Sequence, residues 1–516
     1  MVSMKWRTWI LCAALAAPSM LCAQATPYLP IDDIAYHYID ALMARGSLPS
    51  LSALERPYTV GDVRAAADTA LARGPSRAMR DFLVTLEAAL HRYELRKPGE
   101  PASDSLPFRA KATFDIYATG ETSGRRELML ADANDYVEPG SAGYFVFGAG
   151  NLAGSVRAIL DNTLNHDPDF TGKKDRRIGG REDDGYVSGQ WKYAQFAFGR
   201  VGRNWGPPAL DGLQLSGAPF TYDHLYARFG TDRLHISSVV ARLENFVVTP
   251  EGAQASRYFS IHRLSYKKGR YEGALSEGFV YTGVGRGLEF SLINPFNVYA
   301  LSWRDEQLDG NLSMGFESSW RAGHFGTYAA HIYLDDLQID KCDTVCKEPS
   351  SYGLTFSAEG LPLAGDQRWF ASYTLVSNLA YHTPNVAERY SIHGIGLGRA
   401  YSDYDEIKVG ADLALLPHTP LRLYVAHRRQ GEGDYRADYP PVASYATTPI
   451  FLSGLVWSVN RFGLTGASAV SRDFQIVGDV GVNNVKNRRH IEGNDVTAFE
   501  GRVKVVWVPR WLITFE

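Results

Sequence analysis

From Phe108 onward, apolar and polar residues alternate one by one. In FRAKATFDIYAT, Phe108, Ala110, Ala112, Phe114 and Ile116 share one face, and Arg109, Lys111, Thr113, Asp115 and Tyr117 share the other. The same split recurs in IKVGADLALL (407–416), FQIVGDVGV (474–482) and FEGRVKVVW (499–507). A period of two places successive side chains on opposite faces of a strand, so each segment predicts a strand with one dry and one wet face. Tight turns are expected at 230–232, 267–270, 321–324, 417–420 and 460–463. Longer polar loops are expected at 244–257, 334–352, 428–449 and 484–497. The count comes to 16–18 strands, and the alternation of short and long connections slips by one between residues 365 and 420.

Residues 31–97 follow a different rhythm. IDDIAYHYIDALMARG repeats Ile31, Ile34, Tyr38 and Leu42 at helical spacing and stops at Gly46. A second helix is predicted after Thr59, ending at Gly74, and a third after Ser76, ending at Lys97-Pro98-Gly99. KPGEPASDS (97–105) reads as a linker. At the front, Lys5 and Arg7 precede an apolar stretch from Trp9 to Leu21, and Ala23-Gln24-Ala25 supplies a small-x-small cleavage site. The expected division is therefore a signal peptide over 1–25, a helical bundle with its linker over 26–104, and a β-rich unit over 105–516.

More than 400 residues of strand and turn, with no helix expected after residue 105 to cover a sheet, exceed one sandwich. They suit a closed transmembrane antiparallel β-barrel, apolar side to lipid and polar side to the lumen. The 29 Tyr and 10 Trp fit aromatic girdles at the two interfaces, although each also serves ordinary packing. Many such barrels end on an aromatic residue; here Phe515 is penultimate.

Composition removes several function classes. A net charge of −4 without a basic run argues against nucleic acid as a partner. Once the signal peptide leaves, two cysteines remain, Cys342 and Cys346, whose C-x3-C spacing in an exported chain reads as a small loop disulfide. The alternative is a metal site with Asp335, Asp336, Asp340 and Asp343, which lacks a nearby His. No catalytic, metal or cofactor motif is found: there is no G-x-S-x-G, H-E-x-x-H or phosphate-binding glycine loop. His262, His331, His382, His393 and His427 are dispersed, each reading as a lumen or rim residue. A hydrolase assembled from neighbouring strands is the enzymatic alternative.

The layout resembles the capsule assembly protein Wzi family. The resemblance covers nearly the full mature chain and rests on ARGSLPSLSALERPYTVGDV (44–63), GRVGRNWGPPALDGLQLSGAPF (199–220) and GLEFSLINPFNVY (287–299). The second contains the family's W-G-P corner, here Trp205, Gly206 and Pro207. The resemblance implies an outer-membrane barrel with a periplasmic helical bundle, acting as a lectin-like protein in surface attachment of capsular or other extracellular polysaccharide. It makes that polysaccharide and outer-membrane lipid the partners of a monomer, with export machinery also in reach. The helical unit is faintly similar to surface-layer homology modules, which would mean contact with the cell wall. A diffusion porin is the other alternative.

Sugar recognition needs aromatic faces and planar polar groups. HRRQGEGDYRADYPPVASY (427–445), read as one outer loop, offers Arg428, Arg429, Tyr435, Arg436, Tyr439 and Tyr445; AYSDYDE adds Tyr401 and Tyr404. These are the expected glycan-binding residues, while Trp205 to Pro208 is expected to be a structural corner, since proline cannot donate to a sheet ladder.

Overall fold

The computed structural model describes residues 25–95, 108–130, 135–247, 252–305, 308–336, 348–471, 473–509 and 513–515. The expected signal peptide before Ala25, the linker at 97–105 and the Cys342–Cys346 pair lie outside the described residues.

Eighteen antiparallel strands form the barrel. They are β1 (Arg109–Glu121), β2 (Tyr136–Ala149), β3 (Leu152–Asp161), β4 (Gly180–Gln190), β5 (Ala194–Arg200) and β6 (Asp223–Gly230). Next come β7 (Leu234–Arg242), β8 (Gln254–Lys268), β9 (Tyr271–Gly283), β10 (Asn311–Arg321), β11 (Thr327–Asp336) and β12 (Ser351–Pro362). The last six are β13 (Arg368–Val376), β14 (Tyr404–Leu416), β15 (Thr419–Gln430), β16 (Trp457–Ala469), β17 (Phe474–Lys486) and β18 (Val496–Trp507). Each pairs with its sequence neighbours, and β1 pairs with β18 through Ile116↔Trp507 to Glu121↔Arg502, which closes the cylinder. Residues 513–515 add a short pairing at Ala110–Ala112.

The wet and dry faces fall where the alternation puts them. Ile116, Ile407, Val409, Phe474, Phe499 and Val505 are outside and exposed, whereas Lys111, Asp115, Asp412 and Glu500 are inside and buried. Removing apolar area from water is worth roughly 25 cal/mol per Å². A bilayer is the surrounding that gives such a continuous exposed belt that return.

Connections alternate strictly. One end carries short turns, such as 150–151, 269–270 and 417–418; the other carries long loops, including 201–222, 284–310, 377–403 and 431–456. The expected slip between 365 and 420 does not occur: a turn at 363–367, a loop at 377–403 and a turn at 417–418 keep the pattern. The turn expected at 460–463 is instead the middle of β16, with Asn460 opposite His427. Gly463 imitates a turn signal there, but it is needed because a Cβ would come within 2.4 Å of the Tyr424 ring. Helix also occurs after residue 105, contrary to expectation: α4 (Phe290–Ile293) and α5 (Tyr299–Asp305), numbered after the three helices below, lie in the 284–310 loop.

The N-terminal segment forms α1 (Ala35–Ala44), α2 (Val60–Ala72) and α3 (Arg77–Leu90). The Thr59 hydroxyl accepts from the Asp62 amide (3.1 Å), and Ser76 does the same for Met79 (3.4 Å), satisfying helix-start donors. The apolar stripe of α1 (Tyr38, Ile39, Leu42) meets that of α3 (Phe82, Leu83, Leu86), and the same core continues into Tyr117, Tyr144 and Val146 on the inner wall of β1 and β2. The helices therefore sit in the barrel mouth at the short-turn end. Tyr38 donates to the His418 carbonyl in the turn (2.8 Å), and Arg45 reaches the carbonyls of Asp366 (2.7 Å) and Asp412 (3.1 Å).

Candidate functional site

Two segments meet in the lumen from opposite ends. From the helical unit, Glu55 and Arg56 run antiparallel to Trp205 and Asn204 of the 201–222 loop, and the Gly206 amide donates to the Leu54 carbonyl (3.0 Å). Trp205, 1% exposed, bridges to Leu215 on its other side, with the Arg263 guanidinium 5.5 Å from its ring. The two legs of the loop press together so closely that a Cβ on Gly212 would fall 1.9 Å from the Trp205 carbonyl oxygen. The W-G-P corner is buried within the lumen, and Ala209 at its tip takes φ 57°.

Charged side chains lock the junction. Arg263 binds Glu317 (2.6 Å) and Glu55 (3.2 Å), and Glu55 also accepts from Tyr226 (3.2 Å) and pairs with His235 (3.2 Å). Burial acts to raise the Glu55 carboxyl, but the hydrogen bond and charge of His235 and the charge of Arg263 outweigh it and hold the group well below the usual carboxylate range.

Space remains on either side of the tip. A cavity of 360 Å³ on the helical side is lined by Asp33, Tyr36, Asp40, Arg56, Glu359 and Arg422, among others. A second, of 440 Å³, shares Ala209, Leu210, Lys408 and Asp479 with the first. Its wall is cationic: Arg126, Arg399, Lys408, Arg428, Arg461, Arg502 and Lys504 face Glu127, Asp211, Glu406 and Asp479, seven against four. Arg461 is committed to Asp479 (2.6 Å) and Arg428 to Glu127 (2.5 Å), whereas Arg399 and Lys504 make no ion pair among the described residues.

The expected glycan-binding residues do not form one loop. Arg428 and Arg429 belong to β15, and pairing with Glu406 and Asp405 turns them to opposite faces. Arg428 points inward and lies over the rings of Tyr404 (4.4 Å) and Tyr401 (5.0 Å) in the wall of the cationic cavity. Burial, with the nearby Glu127 charge, pushes the Tyr401 hydroxyl up to about 12. Arg429 points outward at the rim and binds Asp405 (2.6 Å). Tyr435 is fully buried: its hydroxyl accepts from the Gly396 amide (2.7 Å) and donates to the Ala400 carbonyl (2.8 Å).

Arg436 braces the same inward-folded 377–403 loop through the Gly394 carbonyl (2.7 Å). Tyr439 is half-buried, edge-on to His382 (5.0 Å) and Tyr445 (6.0 Å). Burial and the Arg389 charge push His382 down to about 4, so it is neutral near pH 7 and donates through Nε2 to the Ala437 carbonyl (2.9 Å). Sequence reasoning missed Glu127, Arg399 and Lys504, which sit on separate segments and carry no shared local pattern. It also placed His262 in the lumen or at the rim, whereas the side chain faces outward, away from Arg263, because neighbouring strand residues alternate.

No protein-family profile matches the sequence, and no curated protein aligns with it. Among solved structures, the fold is similar to Wzi of Escherichia coli, described as an outer-membrane protein involved in group 1 capsule assembly and as a carbohydrate-binding β-barrel. That likeness has 12% identity and a TM-score of 0.60 over 95% of this chain and 100% of the other. Weaker likenesses reach OprD and OpdP of Pseudomonas aeruginosa, each at 10% identity, with TM-scores of 0.44 and 0.45 over 80% and 81% of this chain and 97% and 96% of theirs. The chain folds as a closed 18-stranded antiparallel barrel of the outer-membrane type, similar to Wzi along nearly its whole length.

Proposed function

We propose that this protein holds an extracellular polysaccharide at the surface of a Gram-negative cell, with the helical unit in the periplasm and the long loops outside. The observation that carries this reading is the filling of the lumen by residues 49–59 from one end and the 201–222 and 377–403 loops from the other. A barrel filled in this way is suited to anchoring more than to diffusion. The likeness to Wzi, a carbohydrate-binding barrel, supports the same reading.

Arg429, Arg436 and Tyr439 are the sequence-chosen residues on the loop side that can be altered without emptying the core, and they supply the planar and aromatic groups a sugar chain requires. The excess of guanidinium and ammonium groups around the 440 Å³ cavity favours an acidic polymer. Replacing Arg429, Arg436 and Tyr439 together with Ala is expected to release polysaccharide from cells while barrel abundance stays normal. Unchanged retention in that triple variant would overturn the assignment of these residues. Steady single-channel conductance of the unaltered protein in planar bilayers would favour a porin instead.

A further inference from the structure

On β8 and β9 the outward face is divided. Near the short-turn end Leu264, Tyr266 and Leu275 are exposed like the rest of the lipid-facing belt. Toward the loop end Tyr258, Ser260 and His262 on β8, and Glu277, Phe279 and Tyr281 on β9, also point outward, yet all are buried. The cover is the 284–305 segment, which turns down over the outside of the wall. The amides of Tyr299 and Ala300 donate to the Glu277 carboxylate (2.8 and 3.4 Å), Tyr258 donates to the Arg286 carbonyl (3.2 Å), and the Glu289 amide donates to the Tyr281 hydroxyl (3.4 Å). Leu292 and Tyr299 close an apolar cluster with Tyr258, Phe279 and Tyr281. Beneath it His262 Nε2 pairs with Glu277 (3.0 Å).

Depth follows from register. Glu277 lies midway along β9 (Tyr271–Gly283), so at ~3.3 Å per residue and a tilt near 40° the segment descends about 15 Å from the loop end. That is about three fifths of the ~25 Å apolar band of such barrels. The outer side of the segment carries Phe290, Phe296 and Leu301, exposed by 87%, 66% and 61%. The Phe296 ring is 5.7 Å from Phe229, which meets the lipid-facing Phe196 at 5.3 Å, so the segment's apolar surface is continuous with the belt.

We propose that residues 284–305 form a strap immersed in the apolar layer of the membrane, descending from the loop end toward the short turn beside Phe229, with Phe290, Phe296 and Leu301 packed among acyl chains and the backbone polar groups turned inward to Glu277, Tyr258 and Tyr281. The strap rests on the reading of the barrel as membrane-spanning. It accounts for the buried His262–Glu277 hydrogen-bonded pair on the lipid side of the wall, where uncovered polar groups would be strongly unfavourable.

The test places a bimane label at Phe290→Cys, Phe296→Cys or, as belt control, Phe316→Cys, one at a time in the full barrel with Cys342→Ser and Cys346→Ser. Folding is checked by the heat-dependent gel shift of intact barrels, and the proteins are reconstituted in phosphatidylcholine vesicles with brominated acyl chains. Labels at 290 and 296 are expected to lose most of their emission, like the label at 316, and to resist aqueous iodide. Quenching at 316 by bromolipid, with 290 and 296 quenched only by iodide, would overturn the strap while leaving the barrel reading intact. Protection of 290 and 296 from both quenchers would mean that a protein surface covers them, and would also overturn it. Loss of bromolipid quenching at all three positions would overturn the membrane reading itself.

Discussion

Arg263 and His262 are neighbours on β8 and face opposite ways, each toward buried carboxyl groups. Arg263 points inward to Glu317 and Glu55; His262 points outward to Glu277. The inner pair is covered by a lumen-filling segment that comes 208 residues earlier in the chain, the outer pair by a strap that follows within a few tens of residues. One wall of a barrel has room for buried polar pairs on both sides only where something else excludes both water and lipid. The difference between the covers is their reach: the inner one ties the two ends of the molecule together, and the outer one ties a loop to its own strand.

Breaking the inner pair should have the largest effect. Arg263→Met leaves Glu317 and Glu55 without their shared cation and is expected to lower stability by about 3–5 kcal/mol, read by urea unfolding in lipid vesicles. Trp205→Ala removes the aromatic wedge beside it and should cost about 3 kcal/mol. Deleting 207–211 from the same loop should join the two cavities and produce measurable conductance in planar bilayers, whereas no strap variant should conduct.

On the outer side, Glu277→Gln keeps the shape and removes the charge. It is expected to cost about 1–3 kcal/mol, with faster hydrogen exchange confined to 284–305 and unchanged exchange at 49–59. Acidification should act in the opposite place. Because the Glu55 carboxyl is held below its ordinary range, its contribution is present above the unfolded value of ~4.3 and is lost as pH falls below it. Exchange at 49–59 should then rise, and Glu55→Gln should flatten that response. The smallest effect expected is Thr59→Ala, about 1 kcal/mol from one lost helix cap, seen in the helical unit alone.

The inner and outer faces also differ in how readable they were. Alternation identified β1, β14, β17 and β18 directly, because lipid on one side and a polar lumen on the other impose opposite chemistry on successive residues. Caps at Thr59 and Ser76 marked helix starts for the same local reason. Sequence reasoning failed where a residue's partner is distant. Arg428 looked like a loop residue because its strand partner is Glu406 and its ion partner Glu127 lies some three hundred positions away. Gly463 looked like a turn because its role is to admit the Tyr424 ring. The strap left no periodic mark: its hydrophobic residues fit a belt only when the loop is seen to turn downward. GLEFSLINPFNVY stood out through resemblance alone.

The junction of Glu55 with Trp205 also has a consequence in time. The helical unit comes first in the chain, yet its contacts include the Ala469 amide, which donates to the Tyr38 hydroxyl (3.1 Å), and the Asp412 carbonyl, both from strands made near the end. Its core also leans on β1, β2 and β18, and β1 pairs with β18 at the seam of the barrel. The helical segment therefore cannot finish burying its own side chains until the last barrel strand, which supplies Val506 to that core, is in place.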